Sequence, residues 1–259
     1  MDRLKLGEIA WTDLQAVDLE RQSAFYEGLF GWTHVDMPTG DGRPDYRMFY
    51  KNDVVVAGGS PMSPDMKATA MPSFWAVYIA TPDLDATLVK AEALGATVIM
   101  PAMDVLDSGR MVAIADPTGG GVFFWQARNH KGAGVFGEPG TISWADLSTR
   151  DPQTAADFFV ELLGWEISTM SDPVPYWQFS VGGEGEGGVM AIPEMMGAEA
   201  RPFWTIYFGF ETIGGGVARA EELGATTLSP ATEIGGGVAF AVLSAPAGAA
   251  FALLGPVGG

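Results

Sequence analysis

Hydrophobic and polar positions along this chain fall into short blocks whose order recurs. Trp11-Thr12-Asp13-Leu14 alternates as a half-buried strand does, and after Asp18 the residues Leu19, Phe25 or Tyr26, and Leu29 recur at near-helical spacing. Asp18 suits an N-cap, where a carboxylate accepts orphan backbone N–H bonds, and Gly31 suits the left-handed cap that ends a helix. Leu84, Leu88 and Ala91, between Asp83 and Gly95, predict a second amphipathic helix. Asp151, with Pro152 at the first helical position, opens a third that Gly164 closes, and Gly224 closes a fourth. Gly119–Gly121 and Gly182–Gly188 precede apolar runs and predict hairpin turns.

The blocks repeat at long range. Trp11-Thr12-Asp13-Leu14, Asp18, Phe25-Tyr26 and Leu29-Phe30-Gly31-Trp32 are mirrored at unchanged spacing by Trp144-Ala145-Asp146-Leu147, Asp151, Phe158-Phe159 and Leu162-Leu163-Gly164-Trp165. Phe74-Trp75 with Tyr78, and Leu94-Gly95-Ala96-Thr97, return as Phe203-Trp204 with Tyr207, and Leu223-Gly224-Ala225-Thr226. The chain is a tandem duplication. Between the halves, Arg128 to Gly140 is Gly-rich, contains Pro139, has no apolar periodicity and reads as a linker. The predicted domains are residues 1–133 and 134–259, with the boundary near Gly134. Each half carries the same order twice, a strand, a helix and further strands. The expected fold is therefore α+β: two tandem domains, each of two βαβββ modules forming a curved mixed sheet around a cavity.

Composition narrows the partners. Of 259 residues, 47% are hydrophobic and 18% charged, as in a packed globular protein. The 32 acidic residues against 14 basic ones give a net charge of −18, which repels phosphate backbones and anionic lipid surfaces. Neither nucleic acid nor a membrane is an expected partner; the charge serves solubility or attracts cationic ligands. With no cysteine there is no disulfide, thiolate metal site or Cys nucleophile. Met1 to Glu8 contains no continuous apolar segment, and no later run is long enough to span a bilayer, so a cytoplasmic location is expected. The Gly clusters lie between strands and none precedes Lys-Ser or Lys-Thr, which argues against a phosphate-binding loop.

Two segments carry a family resemblance: Asp18-Leu19-Glu20-Arg21-Gln22-Ser23-Ala24-Phe25-Tyr26, ending in Leu29-Phe30-Gly31-Trp32, and Asp116-Pro117-Thr118-Gly119 leading to Val122-Phe123-Phe124-Trp125. They resemble the first helix and the Asp-Pro-x-Gly hairpin of the vicinal oxygen chelate superfamily, the group of glyoxalase I, bleomycin-resistance proteins and extradiol dioxygenases. The doubled layout is similar to actinobacterial antigens described as hydroxylases or glyoxalases. In metal-dependent members a His, Gln or Glu stands seven residues before the helix-opening Asp. The resemblance carries that position to Trp11, Ala76 and Trp144, and to Thr205 in the fourth module. It carries the family's last-strand Glu to Phe123 and Ala252. None of these side chains binds a divalent metal, so no metal and no other cofactor is expected. His34, in a second strand, and His130, in the linker, are expected to be solvent-accessible or locally hydrogen-bonded.

Strand alternation sets Trp11, Asp13 and Gln15 on one face, with Trp144, Asp146 and Ser148 repeating them; Tyr78, Tyr207, Phe123 and Trp125 join that face. Such an aromatic surface with a few polar groups suits a flat hydrophobic ligand, or equally a packed core. Asp13 and Asp146 are candidate acids or bases, or structural hydrogen-bond acceptors. Tyr46, Tyr176 and Gln178 lie on strands of undetermined facing, and Arg110 either binds an anion or faces solvent. The expected function is metal-independent binding of an aromatic small metabolite, in an enzyme running a hydroxylation-type or proton-transfer step through Asp and Tyr. The alternative is a non-catalytic, drug-sequestering protein. Four modules in one chain imitate a two-subunit dimer, so a pseudo-dimeric monomer or a homodimer is expected.

Overall fold

The computed structural model describes residues 5–39, 45–170 and 174–258; Met1–Leu4, part of the amino-terminal segment read above, lie outside them. The first repeat runs β1 (Ile9–Ala16), α1 (Leu19–Phe30), β2 (Thr33–Met37), β3 (Tyr46–Lys51), β4 (Val54–Pro61), a short α2 (Pro64–Ala68), β5 (Phe74–Ala80), α3 (Leu84–Ala93), β6 (Thr97–Val105), β7 (Gly109–Ala115) and β8 (Gly121–Ala127). The second runs β9 (Ile142–Thr149), α4 (Pro152–Leu163), β10 (Glu166–Met170), β11 (Tyr176–Val181), β12 (Glu184–Ala191), a 3-10 turn at Glu194–Met196, β13 (Phe203–Gly209), α5 (Ile213–Glu222), β14 (Thr226–Gly235), β15 (Val238–Ser244) and β16 (Ala250–Pro256).

The helices start and stop for local reasons. Asp18, Asp83 and Asp151 each accept a backbone N–H from three residues on, at 3.0–3.1 Å, which satisfies a donor that has no partner inside the helix. Thr212 does the same for α5. Gly31 and Gly164, at φ +70° and +74°, end α1 and α4, whereas Gly95 and Gly224 take up the left-handed turn one residue beyond the caps of α3 and α5.

Each repeat builds one eight-stranded sheet, in the orders β2-β3-β4-β1-β5-β8-β7-β6 and β10-β11-β12-β9-β13-β16-β15-β14. Within every module the first strand pairs in parallel with the last, and the two modules of a repeat join through the antiparallel β1–β5 or β9–β13 ladder. The central strands therefore come from different modules, and one sheet curls into a half-barrel. The Gly-rich stretch read as a turn is mostly strand: only Gly182 and Gly183 turn, while Gly185, Gly187 and Gly188 lie in β12. Bare backbone is needed there because the Trp144, Phe179 and Tyr176 rings lie directly against it.

The two repeats pack through α1 and the outer faces of the sheets. Phe25 and Tyr26 meet Phe251, and Phe30 meets Phe208. Trp32 Nε1 donates to the Gly140 carbonyl at 2.9 Å and Trp165 Nε1 donates to that of Gly7 at 3.0 Å, so each Leu-x-Gly-Trp motif latches the segment entering the other repeat. One element of this core is unequal. Trp75 Nε1 donates to the buried Tyr26 hydroxyl at 2.8 Å, but Phe159 replaces Tyr26 in the second repeat and the buried Trp204 Nε1 has no partner. Phe159→Tyr supplies the acceptor and is expected to raise the unfolding free energy by about 1 kcal/mol in chemical denaturation. No gain would mean that the new hydroxyl does not reach Trp204.

Candidate functional site

On the inner face of the first sheet, β1 presents Trp11 and Asp13, and the register sets Asp13 beside Gly58 of β4 and Ala76 of β5. Asp13 is 6% exposed. Its Oδ1 accepts from Trp11 Nε1 at 2.7 Å and from the Tyr46 hydroxyl, and its Oδ2 accepts from the Tyr78 hydroxyl at 2.9 Å. The second sheet repeats the cluster. Asp146 Oδ1 accepts from Trp144 Nε1 at 3.0 Å and from the Tyr176 hydroxyl at 2.7 Å, and Oδ2 accepts from the Tyr207 hydroxyl at 2.7 Å. Glycine is required at the facing strand positions, since a Cβ at Gly58 or Gly188 would collide with the Tyr46 or Tyr176 hydroxyl.

Burial pushes both Asp carboxyls above their ordinary value of 3.8, and the tyrosine and tryptophan donors oppose that rise. Burial and the neighbouring carboxylate hold Tyr46, Tyr78, Tyr176 and Tyr207 well above the usual phenol range, so all four are neutral donors. Tyr176 donates to Asp146 and accepts from Trp144 Nε1 at 2.7 Å, which uses its hydroxyl in both directions. Tyr207 donates to the same carboxylate through Oδ2.

The structure thus joins Trp11, Asp13, Tyr46 and Tyr78, and Trp144, Asp146, Tyr176 and Tyr207, into two like clusters. Phe123 stacks on Tyr78 with ring centroids 4.7 Å apart, and Trp125 stands edge-on at 6.5 Å. Gln178 is beside Gly185 and the Trp144 ring. Gln15 is separate from the cluster, accepting from Ser60 Oγ at 3.3 Å near the end of β1. Arg110 is taken up by the chain's own carboxylates, bidentate to Asp85 at 2.8 and 3.0 Å and 3.7 Å from Asp104. His34 pairs with Glu27, as local hydrogen bonding predicts.

His130 departs from expectation only in part. Its ring meets Trp11 edge-on at 4.5 Å and Trp125 at 5.8 Å, and its Nε2 is buried without a partner, while the residue as a whole keeps intermediate exposure. Burial pushes its pKa down to about 4. The linker is drawn across the first sheet by its backbone, with Ala133 N donating to the Ala10 carbonyl and Gly134 N to that of Val55, both at 2.9 Å.

A cavity of about 180 Å³ opens where the repeats meet, lined by Ile9, Phe136, Ile142, Trp144, Gly185 and Glu186. Glu186, 4% exposed, accepts from Ile9 N at 3.3 Å. No periodicity in the sequence singles it out. The signal is that the other copy holds a buried Val56 at the matching strand position.

A divalent metal does not fit this donor set. Trp11, Ala76 and Phe123 in the first repeat, and Trp144, Thr205 and Ala252 in the second, offer no coordinating nitrogen or carboxylate. An indole N–H donates, and neutral phenols are weak ligands. Among the described residues no group of three or more His, Asp or Glu comes together.

A family model described as the Glyoxalase/Bleomycin resistance protein/Dioxygenase superfamily matches residues 8–123, and one described as a Glyoxalase-like domain matches residues 144–254. "Putative glyoxylase CFP32" of Mycobacterium tuberculosis (strain CDC 1551 / Oshkosh) is 36% identical over 251 residues, which cover 96% of this chain and 95% of that protein. "Anthracycline biosynthesis protein DnrV" of Streptomyces peucetius is 35% identical over 189 residues, 67% of this chain and 68% of that protein. Among solved structures, the Mn(II)-bound glyoxalase from Novosphingobium aromaticivorans superposes with a TM-score of 0.67 at 16% identity, covering 98% of this chain and 83% of that one, which is a likeness of fold alone. With two matched repeats and a relative aligned over nearly its full length, the chain belongs to the glyoxalase/bleomycin resistance/dioxygenase superfamily.

Proposed function

We propose that this protein binds an aromatic small metabolite against the inner face of its second repeat without a metal, as an enzyme of small-molecule metabolism in which Asp146 and Tyr207 hold and move a proton. The observation that carries the reading is the Trp144 indole, anchored through Nε1 to Asp146 and Tyr176 while its ring lines the 180 Å³ cavity. An indole fixed by its polar edge offers its flat surface to a ring. The relative named for anthracycline biosynthesis supports an aromatic guest. The residues at the superfamily's ligand positions support binding without a metal. In the enzymatic step Tyr207, hydrogen-bonded to Asp146, accepts a proton from the bound ligand as its own passes to the carboxylate, which burial has made more basic.

A second reading, sequestration without turnover, is favoured by the identity of the two clusters. Each carboxylate already accepts from three donors, and the first repeat keeps the same arrangement on a face where Trp11 is only 3% exposed.

The test is a titration with 2-naphthol, with cyclohexanol as the non-aromatic control. The expected result is a preference of at least tenfold for naphthol, unchanged by EDTA and reduced about tenfold or more in Trp144→Ala, consistent with losing one stacking partner and its buried area. Equal binding of the two alcohols, or binding that EDTA abolishes, would refute the proposal. If a turned-over substrate is found, Asp146→Asn is expected to lower kcat at least 100-fold with little change in affinity; an unchanged kcat would select sequestration.

A further inference from the structure

We infer that only the second repeat is open to ligand, because the first repeat's inner face is occupied by the chain's own linker, with the His130 ring seated between Trp11 and Trp125. This assignment rests on the aromatic-binding reading above and says which of two homologous faces does the binding. On the first face Trp11, Tyr78 and Trp125 are 3%, 4% and 5% exposed, so their rings are closed to solvent. On the second, Trp144 is partly exposed, has no aromatic ring partner among the described residues, and lines the cavity.

The closure is built into the backbone. Trp125 Nε1 donates to the His130 carbonyl at 3.1 Å, and Ala133 and Gly134 tie the following residues to β1 and β4. Gly132, at φ +90°, passes so close to the Ala10 carbonyl that a Cβ would collide with it, so the path admits glycine alone. The imidazole meets Trp11 and Trp125 edge to face, as a separate aromatic ring would, and its unpartnered Nε2 shows that packing holds it there. At the second face Ala252 and Leu254 stand at the positions of Phe123 and Trp125, which removes two rings, and Phe240 packs on Tyr207 with ring centroids 5.8 Å apart.

His130 on Trp11 is accordingly an internal template for the guest of Trp144. The cavity volume is close to that of an apolar cavity of about 150 Å³ that holds benzene. The ligand class is a flat molecule of one or two rings. Ser143 and Glu186, which line the cavity, are the side chains in reach of a polar substituent on it.

Two measurements test the assignment. Equilibrium dialysis with 2-naphthol is expected to give one site per chain, lost in Trp144→Leu, and two sites per chain in His130→Ala, where removal of the imidazole opens a gap between Trp11 and Trp125, beneath the linker backbone, that admits a ring of the naphthol. Independently, NMR titration of the two histidines, assigned with His34→Gln, is expected to find His130 neutral down to about pH 4. Two naphthol sites in the unaltered chain, a single site that survives Trp144→Leu, or His130 titrating near its ordinary 6.5 would overturn the assignment alone. No naphthol bound to either the native chain or His130→Ala would overturn the binding reading and this assignment with it.

Discussion

Asp146→Ala is expected to lower the unfolding free energy by about 2–6 kcal/mol in urea denaturation, and Asp13→Ala by a similar amount. Each substitution leaves two phenol O–H groups without their acceptor, while the indole N–H keeps the Tyr176 or Tyr46 hydroxyl, and an unsatisfied buried donor costs about 1–3 kcal/mol. The loss is expected to shrink when donors are removed with the acceptor, so Asp146→Ala combined with Tyr207→Phe should be less destabilised than the two single variants predict together. A loss below about 1 kcal/mol would mean that water reaches the donors and that the cluster does not organise the sheet. The carboxyls' pH dependence has a defined sign. Their folded pKa is raised, so the stability they contribute is fully present below 3.8 and is lost as pH rises through the folded value. They do not account for unfolding in acid.

His130 gives the opposite dependence. Its folded pKa lies near 4 against an ordinary 6.5, so the folded state binds fewer protons, and stability present above pH 6.5 is lost as pH falls toward 4. One proton over that window amounts to about 3 kcal/mol. His130→Phe keeps an aromatic ring between Trp11 and Trp125 and removes the titration. Subtracting its stability curve from that of the native chain between pH 7 and 4 should therefore isolate the loss. Parallel curves would mean that the imidazole is solvated and that the linker does not lie where Trp11 and Trp125 hold it.

Local chemistry was legible in the sequence. The helix caps Asp18, Asp83 and Asp151, the duplication, and the shared face of Trp11, Asp13 and Tyr78 all follow from periodicity, because an N-cap and a two-residue alternation act over a few bonds. The facing of Tyr46 and Tyr176 did not follow. A register shift interrupts the β3–β4 ladder after Phe49 and the β11–β12 ladder after Phe179, so parity cannot be carried across from one strand to the next. The seat of His130 was hidden for another reason: it is fixed by backbone bonds from an aperiodic segment to Ala10 and Val55, far away in sequence. Glycines 185, 187 and 188 read as a turn because composition records that a side chain is missing, whereas the cause here is an aromatic ring packed on a strand. The alternatives left open for the concave face, a core or a ligand site, divide between the repeats, with the first face closed by rings and the second bordering a cavity.

The proposed guest is an aromatic molecule held by a Trp-, Tyr- and Asp-built face with no metal between them. Native mass spectrometry with elemental analysis, on protein isolated from its source under non-denaturing conditions, tests it most directly. One small aromatic molecule per chain is expected, retained after EDTA, with zinc, nickel, manganese and iron far below one equivalent. A stoichiometric divalent metal that leaves together with the guest on EDTA treatment would contradict it.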